Sequence, residues 1–580
     1  MKITQAGPAL LIIFLFSLIH VNAQQWGLYT LYAPFTGTKT YLIDTNGVTY
    51  KTWTHPSNAK TGFSVYLTPG DTLVRPVAYS GAQFFGGGIT GKVQKVTWDG
   101  TVVWDYTHSS STYCLHHDIH PMPNGNVLMT SYESKSASEV TAAGCTSAIT
   151  VWSEKIIEVQ PTGPTTGTIV WEWHLWDHIC QSTDNTKPNY VASVSQNPQL
   201  LNINYMISKD WIHMNGLDYN PTLDQITFSS RTMNEIYVID HSTTTAEAAS
   251  HSGGNSGKGG DFLYRWGNPM AYGVTGTKVF SVVHDAHWIS EDNVHYPGYL
   301  CGFNNGGGTA GKSCIDIFNP PYNGFTYNYT PGSAMLPATY DYRHTSSYTT
   351  PSNGSSVQLP NGNSLICISN SNYLYEIDSN GTTLWSKTVT GFPANVERYQ
   401  KCYVRGPVVT ATSSASSVPA GTVVNLFSSA VSPTETSPVY TYAWSSDPSG
   451  FTSSLQNPTL TATNVGTNTY TVTVTNSALG CESTASVKVE VTPFVGITAP
   501  DDQSGDFSVY PNPTTGEVFL PVGPDDHPFG VKVFNSLGMF VFSGTNIKRI
   551  DLSEFGGGTY FLQFYLNEVQ VATRKVMVMR

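Results

Sequence analysis

Leu374-Tyr375-Glu376-Ile377-Asp378-Ser379-Asn380-Gly381, leading to Trp385, is the stretch that decides the fold. Apolar and polar residues alternate, a turn falls on Asn-Gly, and a second run returns to a tryptophan. Alternation with period two marks a half-buried strand, and Asn-Gly or Asp-Gly between two such runs is the strongest short-range hairpin signal. The unit recurs along the chain. Leu42-Ile43-Asp44-Thr45-Asn46-Gly47 leads to Trp53, and Val96-Thr97-Trp98-Asp99-Gly100 to Trp104. Ile156-Ile157-Glu158-Val159 leads through Gly167 to Trp171, and Tyr237-Val238-Ile239-Asp240 leads, after a long insertion, to Trp266. A sixth, degenerate copy is expected from Cys314 to Tyr327.

Between these hairpins stand units such as Leu359-Pro360-Asn361-Gly362-Asn363-Ser364-Leu365 and, more weakly, Leu67-Thr68-Pro69-Gly70-Asp71-Thr72-Leu73. The combined period of about 50 to 65 residues suits a four-stranded blade with its loops. The chain therefore reads as all-β, with a β-propeller of about six blades over residues 24–405. Radial closure also explains how so much strand avoids exposed edges. The 580 residues include 52 Gly, 34 Pro and 33 Tyr, in keeping with many strands joined by tight turns in several domains.

A formal net charge of −12, with no clustered Lys/Arg stripe, argues against a nucleic-acid partner and for small molecules or glycans. Met1-Lys2, an apolar stretch around Ala9 to Ile19 and Val21-Asn22-Ala23 have the pattern of a cleaved secretory signal peptide over residues 1–23. That apolar run is shorter than the roughly 20 residues of a membrane span, and no other segment is long enough, so no transmembrane segment is expected after signal removal. The eight cysteines all follow the signal, in a compartment where disulfides persist. Cys301 and Cys314, flanking a Gly-rich loop, are the expected pair; Cys481 stands alone.

After Pro407 the composition shifts to Ser, Thr and Val. Trp444 and the alternating Tyr470-Thr471-Val472-Thr473-Val474 suggest an Ig-like β-sandwich over residues 406–495, which resembles a PKD-type domain. A linker near 499–505 leads to a small C-terminal β-sandwich, residues 505–580. Its Tyr510-Pro511-Asn512-Pro513 start and basic end resemble the sorting domain of the Bacteroidetes type IX secretion system. That resemblance implies a partnership with the secretion machinery and a secreted or cell-surface protein, exported through the periplasm and across the outer membrane.

His117-Asp118-Ile119-His120 and His284-Asp285-Ala286-His287 align without a gap, and His213-Met214-Asn215-Gly216 continues in the same phase. If the units are radial copies, three imidazoles, His117, His213 and His284, meet at one axis. His116 competes with His117, although only His117 is in phase. A neutral imidazole can attack sulfur and carry a transferred group, and a guanidinium remains charged and offers several donors in a fixed fork. Three histidines can equally bind Zn²⁺ and activate water, which would make a metal-dependent hydrolase, although an arginine beside a metal is an electrostatic misfit. A non-catalytic propeller that binds glycans or acts as an adhesin is the other alternative.

Asp210-Trp211-Ile212-His213-Met214-Asn215 is followed, eighteen residues after the histidine, by Arg231. Together with Leu115-His116-His117-Asp118, the Trp171 to His178 run, Leu263-Tyr264-Arg265, His284-Asp285-Ala286-His287 and Phe303-Asn304-Asn305-Gly306, this segment resembles the bacterial arylsulfate sulfotransferases. The resemblance covers most of residues 90–380. It implies a six-bladed propeller that moves a sulfuryl group from an aryl sulfate to a phenol through a sulfohistidine, with no cofactor, no metal and no nucleotide sulfate donor. It further implies His284 as nucleophile, His117 and His213 as oxyanion and leaving-group partners, Asn215 as an amide donor and Arg231 as the sulfuryl clamp.

Gly306-Gly307-Gly308-Thr309-Ala310-Gly311-Lys312-Ser313 matches the phosphate-loop pattern. That motif requires a helix beginning at Lys-Ser, whereas Cys314-Ile315-Asp316-Ile317-Phe318 alternates like a strand, so a hairpin loop is expected.

Overall fold

The computed structural model describes residues 26–69, 71–432, 435–493, 507–520, 529–566 and 569–579. The signal peptide and the 499–505 linker lie outside the described residues. The chain divides into two compact units. One runs to Thr410 and includes Ser429–Tyr442 and Thr473–Ala485; the other comprises Ala411–Ser428, Ala443–Val472 and Ser486–Arg580.

Six antiparallel sheets form the blades of a propeller in the first unit. Blade 1 consists of Tyr29–Pro34, Lys39–Ile43 and Thr49–Thr54, with Pro393–Tyr399 added from the far end of the ring. Pairs such as Tyr29 with Tyr399 and Leu31 with Glu397 close the circle. Blade 2 occupies Ala59–Thr107, blade 3 Tyr113–His174, blade 4 Met214–Trp266, blade 5 Val283–Thr345 and blade 6 Ser355–Thr388. Each neighbouring pair of blades buries its own apolar layer. Blades 1 and 2 meet through Leu31, Leu42, Leu67 and Leu73, and the ring-closing pair, 6 and 1, through Leu365, Leu374, Ile43 and Val396.

The recurring hairpins fold for local reasons. Asp44 Oδ1 accepts the Asn46 and Val48 N–H groups, and Gly47 takes a left-handed φ of 71° that favours glycine. Asp378 with Gly381 repeats the arrangement at φ 81°. Each closing tryptophan then reaches the next blade. Trp53 Nε1 donates to Thr97 O, Trp104 to Thr166 O, Trp171 to Thr243 Oγ1, Trp266 to Pro337 O, and Trp385 to Thr45 O, returning to blade 1.

Blade 5 departs from the expected repeat. Its outer strand is Tyr342–Thr345, and Tyr322–Asn323 pairs with Thr326–Tyr327 as a separate hairpin. His344 holds the tryptophan's place, packed against the Gly381 turn. Gly306–Ser313 is a hairpin loop with one 3₁₀ turn, and a strand begins directly at Cys314.

Near the axis, side chains tie the inner strands of blades 3, 4, 5 and 6 each to the next. Asp118 Oδ2 accepts Leu217 N–H at 3.0 Å, Asp218 Oδ2 accepts Trp288 N–H at 2.8 Å, and Asp285 Oδ2 accepts Ser356 N–H at 2.7 Å. Ser355 Oγ continues the series to Val396 N–H at 3.1 Å.

The cysteines correct the expectation. Cys301 and Cys314 are both free and buried, because Cys301 pairs with Ile317 and Cys314 with Asn304, three rungs out of register. Cys481 is not alone: it is disulfide-bonded to Cys402, Cα atoms 5.1 Å apart, within the first unit.

Residues 408–492 build a three-stranded and a five-stranded sheet, with Trp444 buried and donating to Gln456 O. Residues 507–579 hold a four-stranded and a two-stranded sheet around a core that includes Val518, Val533, Leu562 and Val576.

Candidate active site

A small cavity of about 20 Å³ lies on the propeller axis, and every blade contributes to it. Phe63 and Ser64 come from blade 2, His117 and Asp118 from blade 3, Asn215 from blade 4, His284 and Asp285 from blade 5. Asn353 and Gly354 lead into blade 6, and Ala394 and Asn395 belong to the closing strand. Bulges in the innermost strands of blades 3, 4 and 5 break the ladder at these positions, as the shifts between Met129 and Ser131, Met214 and Gly216, and His284 and His287 show. A bulge re-aims a side chain that a regular strand would turn along the sheet face.

The phase of the three histidines is approximate. His117 and His213 both take left-handed backbone, φ 45° and 53°, whereas in blade 5 that conformation falls one residue later, on Asp285 at 56°. Such backbone is strained for a residue with a Cβ and persists only where the surroundings impose it. Gly87 and Gly88 belong to those surroundings. A Cβ on Gly88 would overlap the His117 ring, and one on Gly87 would overlap His213. Gly88 O also accepts the His117 N–H at 2.8 Å.

His117 and His213 meet edge to face with ring centroids 4.7 Å apart, and the Phe63 ring lies 5.0 Å from His117. Behind them His116 Nδ1 stands 2.9 Å from His117 Nδ1, while His116 Nε2 is 2.7 Å from Glu154 Oε2. His116 is thus a buried link between His117 and a carboxylate. Asp210 Oδ2 holds His213 Nδ1 at 2.7 Å. Burial opposes its ionisation, but the hydrogen bond and charge of His213 keep the Asp210 carboxyl below its ordinary range.

His284 has the most constrained ring. Asn305 Nδ2 donates to Thr350 O at 2.8 Å and Asn353 O at 2.7 Å, so its amide oxygen faces His284 Nδ1 at 2.7 Å. Nδ1 therefore carries the proton and Nε2 the lone pair, 3.2 Å from the Asn353 N–H. Burial pushes His284 down to about 3; the Asn305 bond opposes this, and the charges of His213 and Arg231 add to it. His117 is pushed well below the imidazole range by burial and then by His213, His116, His284 and Arg231. Both rings are neutral at neutral pH.

Asn215 donates through Nδ2 to Val283 O at 3.0 Å and accepts from Ser229 Oγ at 2.8 Å, which leaves its second amide N–H to face the cavity. Arg231 follows the Gln225–Ser230 strand, is exposed, and donates its backbone N–H to His213 O at 3.2 Å. The structure thus places His117, Asn215 and His284 on one cavity, with His213 against His117 and the Arg231 charge felt by both His117 and His284. The three axial histidines do not make a group with metal-ligand spacing among the described residues. Glu154, Asp210 and Asn305 were not singled out by sequence reasoning, and His116 entered it only as a rival to His117. Asp210 and Asn305 stand inside quoted motifs, whereas nothing in the sequence marks Glu154.

Residues 32–313 match the family model described as Arylsulfotransferase (ASST). That match falls wholly within the propeller. All five candidate residues, with His116, Glu154, Asp210 and Asn305, lie inside that match. Residues 508–579 match the Secretion system C-terminal sorting domain, which marks the chain for export to the cell surface or the medium. No helix among the described residues is long and apolar enough to cross a membrane. No curated protein matches the chain. Among solved structures, the chain is similar to a protein of unknown function from Bacteroides caccae (11% identity, 64% of this chain and 98% of that one, TM-score 0.37). It is also similar to a periplasmic gluconolactonase of Pseudomonas aeruginosa (14% identity, 64% and 98%, TM-score 0.35) and a virginiamycin B lyase of Staphylococcus aureus (10% identity, 66% and 90%, TM-score 0.30).

Proposed function

We propose that this protein is an arylsulfate sulfotransferase that passes a sulfuryl group from an aryl sulfate to a phenolic acceptor through a sulfohistidine at His284, without a nucleotide sulfate donor. The observation that carries the reading is the proton placement on His284. Its Nδ1–H is fixed by Asn305, so the lone pair of Nε2 is presented as the nucleophile.

In the first half-reaction Nε2 attacks the sulfur of the donor, an N–S bond forms, and the S–O bond to the aryl group breaks with both electrons leaving on the phenolate. His117 and His213 face that oxygen, and the His117–His116–Glu154 chain supplies the proton that neutralises it. In the second, the acceptor phenol gives its proton to the same chain, its oxygen attacks sulfur, and the N–S bond breaks. Arg231 and the free Asn215 N–H are the donors available to the sulfuryl oxygens, and the Asn353 N–H, which donates to His284 Nε2 in the resting site, joins them once that nitrogen bonds sulfur. The two-sheet segment at 408–492 is read as a PKD-type module, and the sorting domain as the tag read by a type IX secretion machinery.

The experiment is a coupled-acceptor assay. Purified full-length protein given a chromogenic aryl sulfate should release the phenol in sustained turnover only when a second phenol is added, and that phenol should appear as its sulfate. Sustained release without an acceptor would instead make the protein a hydrolase, and no release with any acceptor would favour a binding propeller.

A further inference from the structure

The insertion of blade 4 joins Glu235–Asp240 to Tyr264–Trp266 and runs through the Gly/Ser-rich segment from Ser250 to Gly260. Around Ala248 and Asp261 it packs against the end of blade 3. There His178, the last residue of the 3₁₀ turn Leu175–His178, is fully buried, with its ring parallel to Trp173 at 5.6 Å. Trp173 Nε1 donates to Gly260 O at 2.7 Å.

His178 Nε2 stands 2.8 Å from Ala248 O. A carbonyl only accepts, so Nε2 holds the proton, and Nδ1 of the neutral ring presents a lone pair. That lone pair faces Asp261 Oδ1 at 2.9 Å, and the exposed His251 points its own Nδ1 at the same oxygen at 2.7 Å. Two acceptors cannot satisfy one another, so a proton or a metal cation has to stand between them. An imidazole whose far N–H is fixed on a backbone carbonyl is oriented as metal-ligating histidines usually are.

We propose that His178, His251 and Asp261 form a site for a divalent transition metal of the zinc class, separate from the axial cavity, which fastens the blade 4 insertion to blade 3. The three ligand atoms lie within 4.8 Å of one another. Ligands held at about 2.0–2.1 Å in a tetrahedral zinc site stand about 3.3 Å apart, so the two N···O separations need to open by about half an ångström. The exposed His251 on its glycine-rich segment supplies that movement. Two imidazoles and one carboxylate favour zinc over calcium or magnesium, which prefer oxygen ligands. Three protein ligands leave a fourth position. It faces a cleft of about 750 Å³ walled by Asp261, Lys258, Gln199 and Tyr327, where water or an oxygen ligand completes the shell.

The test uses full-length protein dialysed against a chelator and titrated with Zn²⁺ or Co²⁺. The wild type should bind one equivalent of zinc, show the visible absorption of tetrahedral Co²⁺, and become resistant to proteolysis within 250–260. His251→Ala, at an exposed position, and Asp261→Asn, which keeps the shape of the side chain, should each weaken binding by roughly 100-fold or more. His117→Ala should bind as the wild type does. Wild-type protein without stoichiometric zinc, unchanged binding in His251→Ala and Asp261→Asn, or loss of binding in His117→Ala would overturn the proposal.

Discussion

The imidazole of His213 meets that of His117 edge to face at 4.7 Å, and both residues hold left-handed backbone above the Gly87-Gly88 pair. Two rings from neighbouring blades are thereby fixed by a loop from a third. Gly88→Ala should displace His117, because the new Cβ overlaps the ring and the glycine itself sits at φ 70°. A shift of about 1 Å in a catalytic group costs on the order of 100-fold, so kcat/KM for sulfuryl transfer should fall by about that factor. Steady-state kinetics check the rate, and circular dichroism the retention of the fold.

Asn305 sets the tautomer of His284 with one end of its amide and satisfies two backbone carbonyls with the other. Asn305→Leu removes both functions. We expect kcat to fall by about 10²–10³ with KM changed little, since the loss acts on the nucleophile, together with a stability loss of about 1–3 kcal/mol from the unpaired carbonyls. Single-turnover kinetics and urea unfolding separate the two effects.

The ring is joined by Trp385, whose Nε1 donates to Thr45 O at 2.8 Å and whose face lies under Arg398 at 4.9 Å. Trp385→Phe should cost about 1 kcal/mol for the hydrogen bond plus a similar amount for lost packing. Urea unfolding should show a lower midpoint.

These bonds also show what the sequence made legible. Hairpin turns depend on neighbours, so Asp44-Asn46-Gly47 and Asp378-Gly381 could be read directly, and the repeat they generate gave the propeller. Pairings between residues distant in sequence left no such trace. Cys402 with Cys481 and Trp385 with Thr45 join residues far apart in the chain, and the choice of Cys301 with Cys314 failed on a register offset that spacing does not reveal. At the site, the histidines and Arg231 were visible as motifs. Glu154 was not, because it is one of two buried glutamates in the Val151–Pro161 strand and nothing distinguishes it until His116 is placed 2.7 Å from it.

Stability should depend on pH through two groups of opposite sign, the half-buried Glu397 and the buried His284. Burial raises Glu397 from 4.5 to about 8, so its contribution is complete below pH 4.5 and is lost as pH rises through 8. Burial lowers His284 from 6.5 to about 3, so its contribution is complete above pH 6.5 and is lost as pH falls toward 3. Glu397→Gln should therefore gain stability relative to the wild type as pH rises from 5 to 8. Thermal melts across that range give the difference, and a constant offset would contradict the assignment.

The central claim is that His284 carries the sulfuryl group, and the direct measurement is peptide mass spectrometry after mixing the enzyme with an aryl sulfate alone. Quenching must avoid acid, which cleaves the N–S bond. The account predicts the mass of one sulfuryl group on the peptide containing His284, loss of that label when a phenol is added, and no label in His284→Asn. Label on His117 or His213 instead, or acceptor-dependent turnover in His284→Asn, would contradict it.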